Sequence, residues 1–349
     1  MTAEKKWIGK QALTDFSAAL LAAGGFRPDY ARQSADLLVW ANLRGADSHG
    51  VLRIPRYIEM VELGIINGQA EPTVSHEFGA ICRLDGHRLP GAAGMSMAAE
   101  KAVELANKFG IGLCEVSRTS HAGAIGYFAE KIAYAGMMGI VMSASKPLMV
   151  YHGTRGEGVS TNPLAISAPA GDGRYPLILD MSTAAVALGK IMAARDSGLP
   201  IPPEWGVDEQ GMPTTDPSNV KAILPMAGPK GSGLSLMIEI LVSILSGNPL
   251  ISAALADKRD NGFNGVAIAI NPLRFGLSTP VSQDVASLAG AIKALPLAAG
   301  VEEVLLPGER GFIMAEKRSV EGIPIPAMTA NRLTEESRKR GVPVPPEFD

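Results

Sequence analysis

The sequence predicts an α/β fold with a mixed sheet, and three observations carry that prediction. Short β-type runs recur from about residue 77 onward, "GAICRL", "GIGLCEV", "GIVMSAS", "PLAISAP", "YPLILDM" and "GVAIAI", with helix-period segments alternating among them. The link between "PLAISAP" and "YPLILDM" is only "AGDGR", too short for a crossover helix, so at least one antiparallel hairpin belongs in the sheet. No GxGxxG follows any of these runs, which removes the signature of an ordinary Rossmann domain.

Taken in chain order, the first quarter reads as helices. In "MTAEKKWIGKQALTDFSAALLAAGG", Leu13, Phe16 and Leu20 keep helical spacing up to Gly24-Gly25, while Lys10 and Asp15 interrupt any apolar stretch that would make it a secretory leader. "ARQSADLLVWANLRG" repeats the pattern until Gly45, with no strand signal between. After the β-type runs begin, "LSLMIEILVSILSG" is an apolar helix too short to cross a bilayer, and it carries Glu239, so a membrane partner is disfavoured. "SGLPIPPEWGVDEQGMPTTDPSNV" is rich in proline, yet Trp205 and Met212 predict a packed excursion over a site. The end of the chain, "ESRKRGVPVPPEFD", turns polar and reads as a surface arm or an element that wraps a neighbour. A helical unit over 1–76, joined by about 311–349, is expected to pack on an α/β unit over 77–310 whose sheet is mixed and non-Rossmann.

At 349 residues the chain exceeds one ordinary core and is long enough to build a deep cleft. Hydrophobic residues are 46% but aromatics only 5%, which suits small aliphatic side chains between closely packed helices and strands. With 32 basic against 35 acidic residues there is no basic stripe for a phosphate backbone, so nucleic acid is disfavoured as a partner. Cys82 and Cys114 lack metal-knuckle or CxxC spacing and read as core thiols in a reducing cytoplasm. The histidines at 49, 76, 87, 121 and 152 form no HxxxH or HExxH pair, so no metal site is expected, and no GxSxG elbow exposes a serine for hydrolysis.

The stretch "RTSHAGAIGYFAEKIAYAG" sets His121 ahead of an amphipathic helix striped by Ile125, Phe128, Ile132 and Ala135. With Ser120 as N-cap, His121 falls in the first turn, where the helix dipole favours a neutral imidazole ready to accept a proton from an alcohol. Gly123 and Gly126 leave room for close approach to the backbone. A histidine that only helps to cap a helix would look the same.

A second Ser-His pair, Ser48-His49, opens a run in which His49, Arg53 and Tyr57 recur every fourth residue. On a helix this aligns them along one edge, opposite Val51, Ile54, Ile58 and Val61. Imidazole, guanidinium and phenol together suit a small carboxylate: arginine grips it, tyrosine adds a hydrogen bond, and histidine works on the neighbouring oxygen. A solvated helix face has the same spacing, and Pro55 would kink a continuous helix. In "ILPMAGPKGSGLSLMIEIL", Gly228, Gly231 and Gly233 offer backbone N–H groups to a phosphate, with Lys230 as a point charge, although a plain glycine turn reads alike. Asp180, Met181 and Ser182 close a hydrophobic strand, where α/β proteins present residues to ligands.

"LRGADSHGVLRIPRYIEMVELG", "SRTSHAGAIGYFAEKIA", "VSTNPLAISAP", "LILDMSTAAVALGKI", "DEQGMPTTDP", "GPKGSGLSLMIEIL" and "AIAINP", in order from about residue 40 to 310, resemble the malate/L-lactate dehydrogenase family. The resemblance implies hydride transfer between NAD or NADP, NAD being favoured, and a small anionic 2-hydroxy or 2-oxo acid of the malate, lactate or ureidoglycolate type. It also implies a homodimer whose subunits share their active sites, with the cofactor in the α/β unit. Residue by residue, it implies His121 as the proton-exchanging group with His49 as its rival, and Ser48, Arg53 and Tyr57 on the substrate side. Cofactor contacts fall on Ser145, Leu179, Asp180, Met181, Lys230, Gly231, Gly308, Glu309 and Arg310. In "ASKPLM", Lys146 stands where members acting on ureidoglycolate have an aspartate. A lysine facing the pocket would favour a dianionic acid; the other reading is a solvent-facing side chain. The rival functions are a reductase of a cyclic 2-imino acid such as piperideine-2-carboxylate, and a non-catalytic small-acid binding protein on the same scaffold.

Overall fold

The computed structural model describes residues 5–171, 173–251 and 262–348. Its elements in chain order are β1 (Lys5–Ile8), α1 (Lys10–Ala23), α2 (Pro28–Leu43), α3 (Ile54–Glu62), β2 (Thr73–Phe78), β3 (Ile81–Asp85), α4 (Gly91–Phe109), β4 (Ile111–Thr119), α5 (Gly126–Tyr134) and β5 (Met138–Ala144). There follow β6 (Met149–Val150), β7 (Glu157–Val159), β8 (Leu164–Ala168), β9 (Leu177–Met181), α6 (Leu188–Asp196), β10 (Gly206–Val207), β11 (Ala222–Ile223) and α7 (Pro229–Glu239). The last are β12 (Phe263–Ile270), α8 (Val281–Lys293), α9 (Glu309–Glu321), β13 (Ile323–Pro326) and α10 (Ala327–Arg340).

All six β-type runs of the sequence lie in one seven-stranded sheet of order β2-β3-β4-β12-β5-β8-β9. Within this sheet, among the described residues, β3 and β4 pair in parallel and the other neighbours antiparallel, so the sheet is mixed, and β8 and β9 form the hairpin that their short link requires. The scarcity of aromatics has its structural counterpart where α4 lies on the sheet: Ala98, Ala99 and Ala102 are buried with Ala267 and Ala269 of β12. The approach is so close that a Cβ on Gly112 of β4 would stand 2.1 Å from the Ala102 carbonyl oxygen.

The opening of the chain departs from the helical expectation. Lys5–Ile8 is a strand paired antiparallel with β13, Ile8 opposite Ile323. Its stability comes from a partner at the far end of the sequence, with Ile8, Ile323 and Ile325 buried in one cluster, so no local pattern announced it. The polar tail likewise packs on its own chain: Leu333 of α10 is buried, and the Phe348 ring meets Phe16 of α1 edge-on at 5.7 Å. In the proline-rich excursion Trp205 packs against a cluster around Met149, Ile191 and Ile201, but Met212 is 62% exposed and is not part of that packing.

Candidate active site

Two 3-10 turns, Asp47–His49 and Val51–Arg53, separate α2 from α3. His49, Arg53 and Tyr57 therefore do not share one helix edge, as their spacing predicted. Extended backbone at Gly50 divides the turns, and a Cβ there would fall 2.1 Å from Asn42 Oδ1. Asn42 is the latch that fixes this bend: its Oδ1 accepts the Val51 N–H at 2.8 Å, and its Nδ2 donates to Asp47 at 2.7 Å. Arg318 of α9 grips the same aspartate at 2.7 and 3.2 Å. Buried Val51, Ile54 and Ile58 anchor the segment to the core as predicted, and Pro55 sits in the first turn of α3, where its missing N–H costs no helical bond. Arg53 Nε donates to the Ser48 carbonyl at 2.8 Å, and the Ser48 hydroxyl lies 3.0 Å from His49 Nδ1.

His121 occupies the loop 120–125 between β4 and α5, because α5 begins only at Gly126. Ser120 is thus not the cap of α5; its hydroxyl accepts the Gly91 N–H at 2.8 Å and caps α4 instead. Neutrality of His121 comes from a different source than the predicted dipole. Burial, then the charge of Arg53, then His49, lower its pKa to about 3, while burial and Arg53 lower that of His49 to about 4. The two rings stack with centroids 5.8 Å apart at 22°, and Phe263 meets His121 edge-on at 5.8 Å. The Tyr57 hydroxyl is 2.7 Å from His121 Nδ1, and the Gly123 N–H donates to the same nitrogen at 3.3 Å.

The space left by the glycines of this loop is taken by protein. A Cβ on Gly126 would stand 2.6 Å from Asp180 Oδ2, which accepts the Gly126 N–H at 3.0 Å; one on Gly123 would meet Leu37 at 2.7 Å. Asp180 faces open cavities on two sides and is exposed in that sense, but its carboxyl lies low in the wall, and burial raises its pKa.

A cavity of about 380 Å³ gathers Ser48, His49, Arg53, His121, Ser145, Asp180 and Met181 of the predicted set. Its wall also includes Phe263, Leu148, Leu188 and the small residues 122–124. A second cavity of about 210 Å³ shares Ala46 and Asp180 with the first and includes Gly308 and Arg310. Six of the predicted residues line neither. Tyr57 lies behind His121, whereas Lys146, Leu179 and Lys230 are exposed elsewhere. Gly231 is buried, and a Cβ there would meet the Met226 and Thr183 carbonyl oxygens at 2.3 and 2.7 Å. Glu309 accepts the Leu306 N–H at 2.9 Å and pairs with Lys293.

Supporting residues that the sequence did not announce hold these walls. Buried Asn162 accepts the Ser145 N–H at 3.3 Å and donates to the Ser235 carbonyl at 3.1 Å. Arg44 lies 3.9 Å over the Phe312 ring, pairs with Glu130 at 3.2 Å, and donates to the Gly308 carbonyl at 3.0 Å, pinning the start of α9 to the second cavity. A cavity with small apolar walls, adjoining across Ala46 and Asp180 one at a helix start carrying Arg310, has the chemistry for a flat ring in the first and phosphate at the second. Among the described residues, no three His, Cys, Asp or Glu side chains converge as metal ligands, and no helix is long and apolar enough to cross a membrane.

A family model for malate/L-lactate dehydrogenase matches residues 8–334. Ureidoglycolate dehydrogenase (NAD(+)) of Escherichia coli (strain K12) is 35% identical over 322 residues, covering 91% of this chain and 92% of that protein. Malate dehydrogenase from Pyrococcus horikoshii OT3 has a structure that matches with a TM-score of 0.88 at 30% identity, covering 99% of both chains. The delta1-piperideine-2-carboxylate reductase from Pseudomonas syringae pvar. tomato matches with a TM-score of 0.84 at 28% identity, covering 95% of this chain and 99% of that one. In sequence and in fold, over nearly its whole length, this chain belongs to the malate/L-lactate dehydrogenase family.

Proposed function

We propose that this chain is a nicotinamide-dependent oxidoreductase that moves a hydride between NAD(P)(H) and C2 of a small 2-hydroxy or 2-oxo acid, His121 exchanging the proton of the substrate oxygen. The observation that carries this reading is the meeting of two neutral imidazoles and one guanidinium on a single cavity wall. Arg53 holds the carboxylate and fixes the distance from C2 to the reacting groups. The carboxylate also offsets the charge that depresses the His121 pKa, so binding of the acid raises the basicity of the ring beside it. His49, stacked on His121 and tied to Ser48, keeps the second ring in place.

The bound cofactor supplies the hydride donor or acceptor at nicotinamide C4. Ser145, Asp180 and Met181 would hold it in the larger cavity, and Gly308 and Arg310 in the smaller one. Leu179, Lys230, Gly231 and Glu309 are assigned to it on the family resemblance alone. NAD is favoured over NADP, in keeping with the Escherichia coli relative named for NAD(+).

One buried cluster gathers mainly α1–α3 and residues 323–348, with Leu89 and Ala93, and a second gathers mainly α4, α5 and the sheet, with Leu37; this broad grouping is what supports the division into 1–76 with 311–349 and 77–310. A cytoplasmic homodimer with shared active sites completes the proposal. Exposed Met237, Ile240, Leu241, Ile244 and Leu245, on α7 and the turn after it, offer apolar surface for the second copy.

Oxidation of NADH and of NADPH, followed by absorbance against pyruvate, oxaloacetate, sulfopyruvate, oxalurate and piperideine-2-carboxylate, tests the assignment. Turnover of a 2-oxo acid supports it. An amine formed from piperideine-2-carboxylate alone establishes the second reading, an imine reductase, which the likeness to the Pseudomonas syringae enzyme favours. Binding of reduced cofactor without turnover of any acid leaves a non-catalytic binding protein.

A further inference from the structure

Tyr57 has the spacing of a substrate contact, but its surroundings point elsewhere. It is 6% exposed and absent from the cavity wall, and its hydroxyl lies 2.7 Å from Nδ1 of His121. The same nitrogen receives the Gly123 N–H at 3.3 Å, a group that can only donate. Among the described residues, no hydrogen bond within the chain engages the other ring nitrogen, Nε2, while the ring itself lines the cavity.

We propose that Tyr57 is a positioning residue that acts through His121: its hydroxyl occupies Nδ1 in both charge states of the ring and leaves Nε2 as the nitrogen that exchanges a proton with substrate. The two partners differ in what they can offer Nδ1. In the resting neutral ring, the buried phenol and the Gly123 N–H both donate to the Nδ1 lone pair, which sets the ring proton on Nε2. When the ring is charged, Nδ1 also bears hydrogen, and Gly123 offers it nothing. A hydroxyl that rotates can accept that hydrogen, so the same oxygen supports the imidazolium. Reduction of an oxo acid starts from the charged ring, which has taken a proton from solvent at Nδ1: hydride reaches the carbonyl carbon, the Nε2–H bond breaks, and its proton goes to the substrate oxygen. The ring is left as its other neutral tautomer, Nδ1–H donating to Tyr57 and Nε2 bare, and it returns to the resting form by taking a solvent proton at Nε2 and releasing the one on Nδ1. Oxidation runs these steps in reverse, the bare Nε2 of the Nδ1–H tautomer accepting the alcohol proton. A phenylalanine fills the same space but removes the acceptor that the charged ring needs.

This inference rests on His121 being the acid/base of the reading above, and two measurements separate the failure of one from that of the other. The first needs no turnover: nitrogen-15 spectra of the imidazoles in the free protein, with His121 identified by its loss in His121→Ala. Expected are an Nε2 that carries the proton and an unprotonated, hydrogen-bonded Nδ1 whose resonance moves toward the free lone-pair position in Tyr57→Phe. A protonated Nδ1 in the parent, or an Nδ1 resonance that ignores the substitution, overturns the proposal. The second is kinetic. Loss of a hydrogen bond to a charged ring predicts that Tyr57→Phe lowers kcat about ten- to a hundredfold with KM for the acid little changed. A raised KM with kcat intact makes Tyr57 a substrate contact and also overturns it. If no acid is turned over, the oxidoreductase reading falls, while the spectra still decide the place of Tyr57.

Discussion

Replacing Glu115 by glutamine should change how stability depends on pH, by an amount that the structure sets. Glu115 on β4 is 1% exposed, and neither carboxyl oxygen has a hydrogen-bond partner among the described residues. Arg83 Nε, at 3.5 Å, and nearby Ser246 ease the charge without reaching hydrogen-bond geometry. Burial dominates, and the pKa rises to about 8 from an ordinary 4.5. Between those values the folded protein holds a proton that the unfolded chain has released, so stability is greatest below the unfolded pKa and declines as pH rises. Each pH unit in that window costs about 1.4 kcal/mol, and from about pH 5 to about pH 9 the loss is on the order of 4 kcal/mol. Glu115→Gln keeps the shape and cannot ionise, so it should gain on the parent by that amount over the same range. Urea unfolding of both proteins at several pH values, at one protein concentration so that any association cancels, measures the difference. A difference that stays flat with pH would mean that Glu115 is ionised in the folded protein, and the reasoning fails.

Other consequences follow from the site. Gly126→Ala forces Asp180 or α5 to move, because the new Cβ would stand 2.6 Å from Oδ2. A stability loss of about 1–3 kcal/mol and weaker binding of reduced cofactor are expected by denaturant and fluorescence titration; a variant normal in both respects contradicts the packing described. Arg53→Ala should raise KM for the acid about tenfold or more and move the acid limb of the pH–rate profile upward, because the charge that lowers the His121 pKa is gone. A profile that does not move would place Arg53 away from the ring. Among the described residues, Arg53 is the one Lys or Arg side chain on the larger cavity's wall and Asp180 the one carboxyl, so acids with a single carboxylate should have the higher kcat/KM. Preference for oxaloacetate or sulfopyruvate over pyruvate would show that a second cation reaches the substrate.

What the sequence made legible was local. Alternating aliphatic runs marked the strands, a short link marked the β8–β9 hairpin, and the apolar anchors Val51, Ile54 and Ile58 were readable although the helix holding His49 was not. What it hid depends on partners distant in the chain. The pairing of Lys5–Ile8 with Ile323–Pro326 lacks any local signal, and Ser120 looks like a cap for the following helix until its hydroxyl is seen on Gly91. The same holds for function. Both histidines were found, but the reason for their neutrality is burial beside Arg53, and the contact that defines Tyr57 spans 64 positions. Gly126 was read as room for a ligand and Gly231 as a backbone N–H for a phosphate or a plain turn; the missing Cβ atoms make room for Asp180 at the first and for the carbonyls of Met226 and Thr183 at the second. Asn42 and Arg318, which hold the His49 turn, carry no motif at all and were found only as hydrogen bonds.

The most direct test of the proposed chemistry is to follow the hydride itself. Reduced cofactor carrying deuterium at both C4 positions is supplied with whichever oxo acid the protein turns over, and the product is examined by proton NMR and mass spectrometry. Direct transfer within the cavity lined by Arg53 and His121 predicts one deuterium at C2 of the hydroxy acid and none lost to water. Deuterium that is absent from C2, or that appears in solvent, would contradict that transfer.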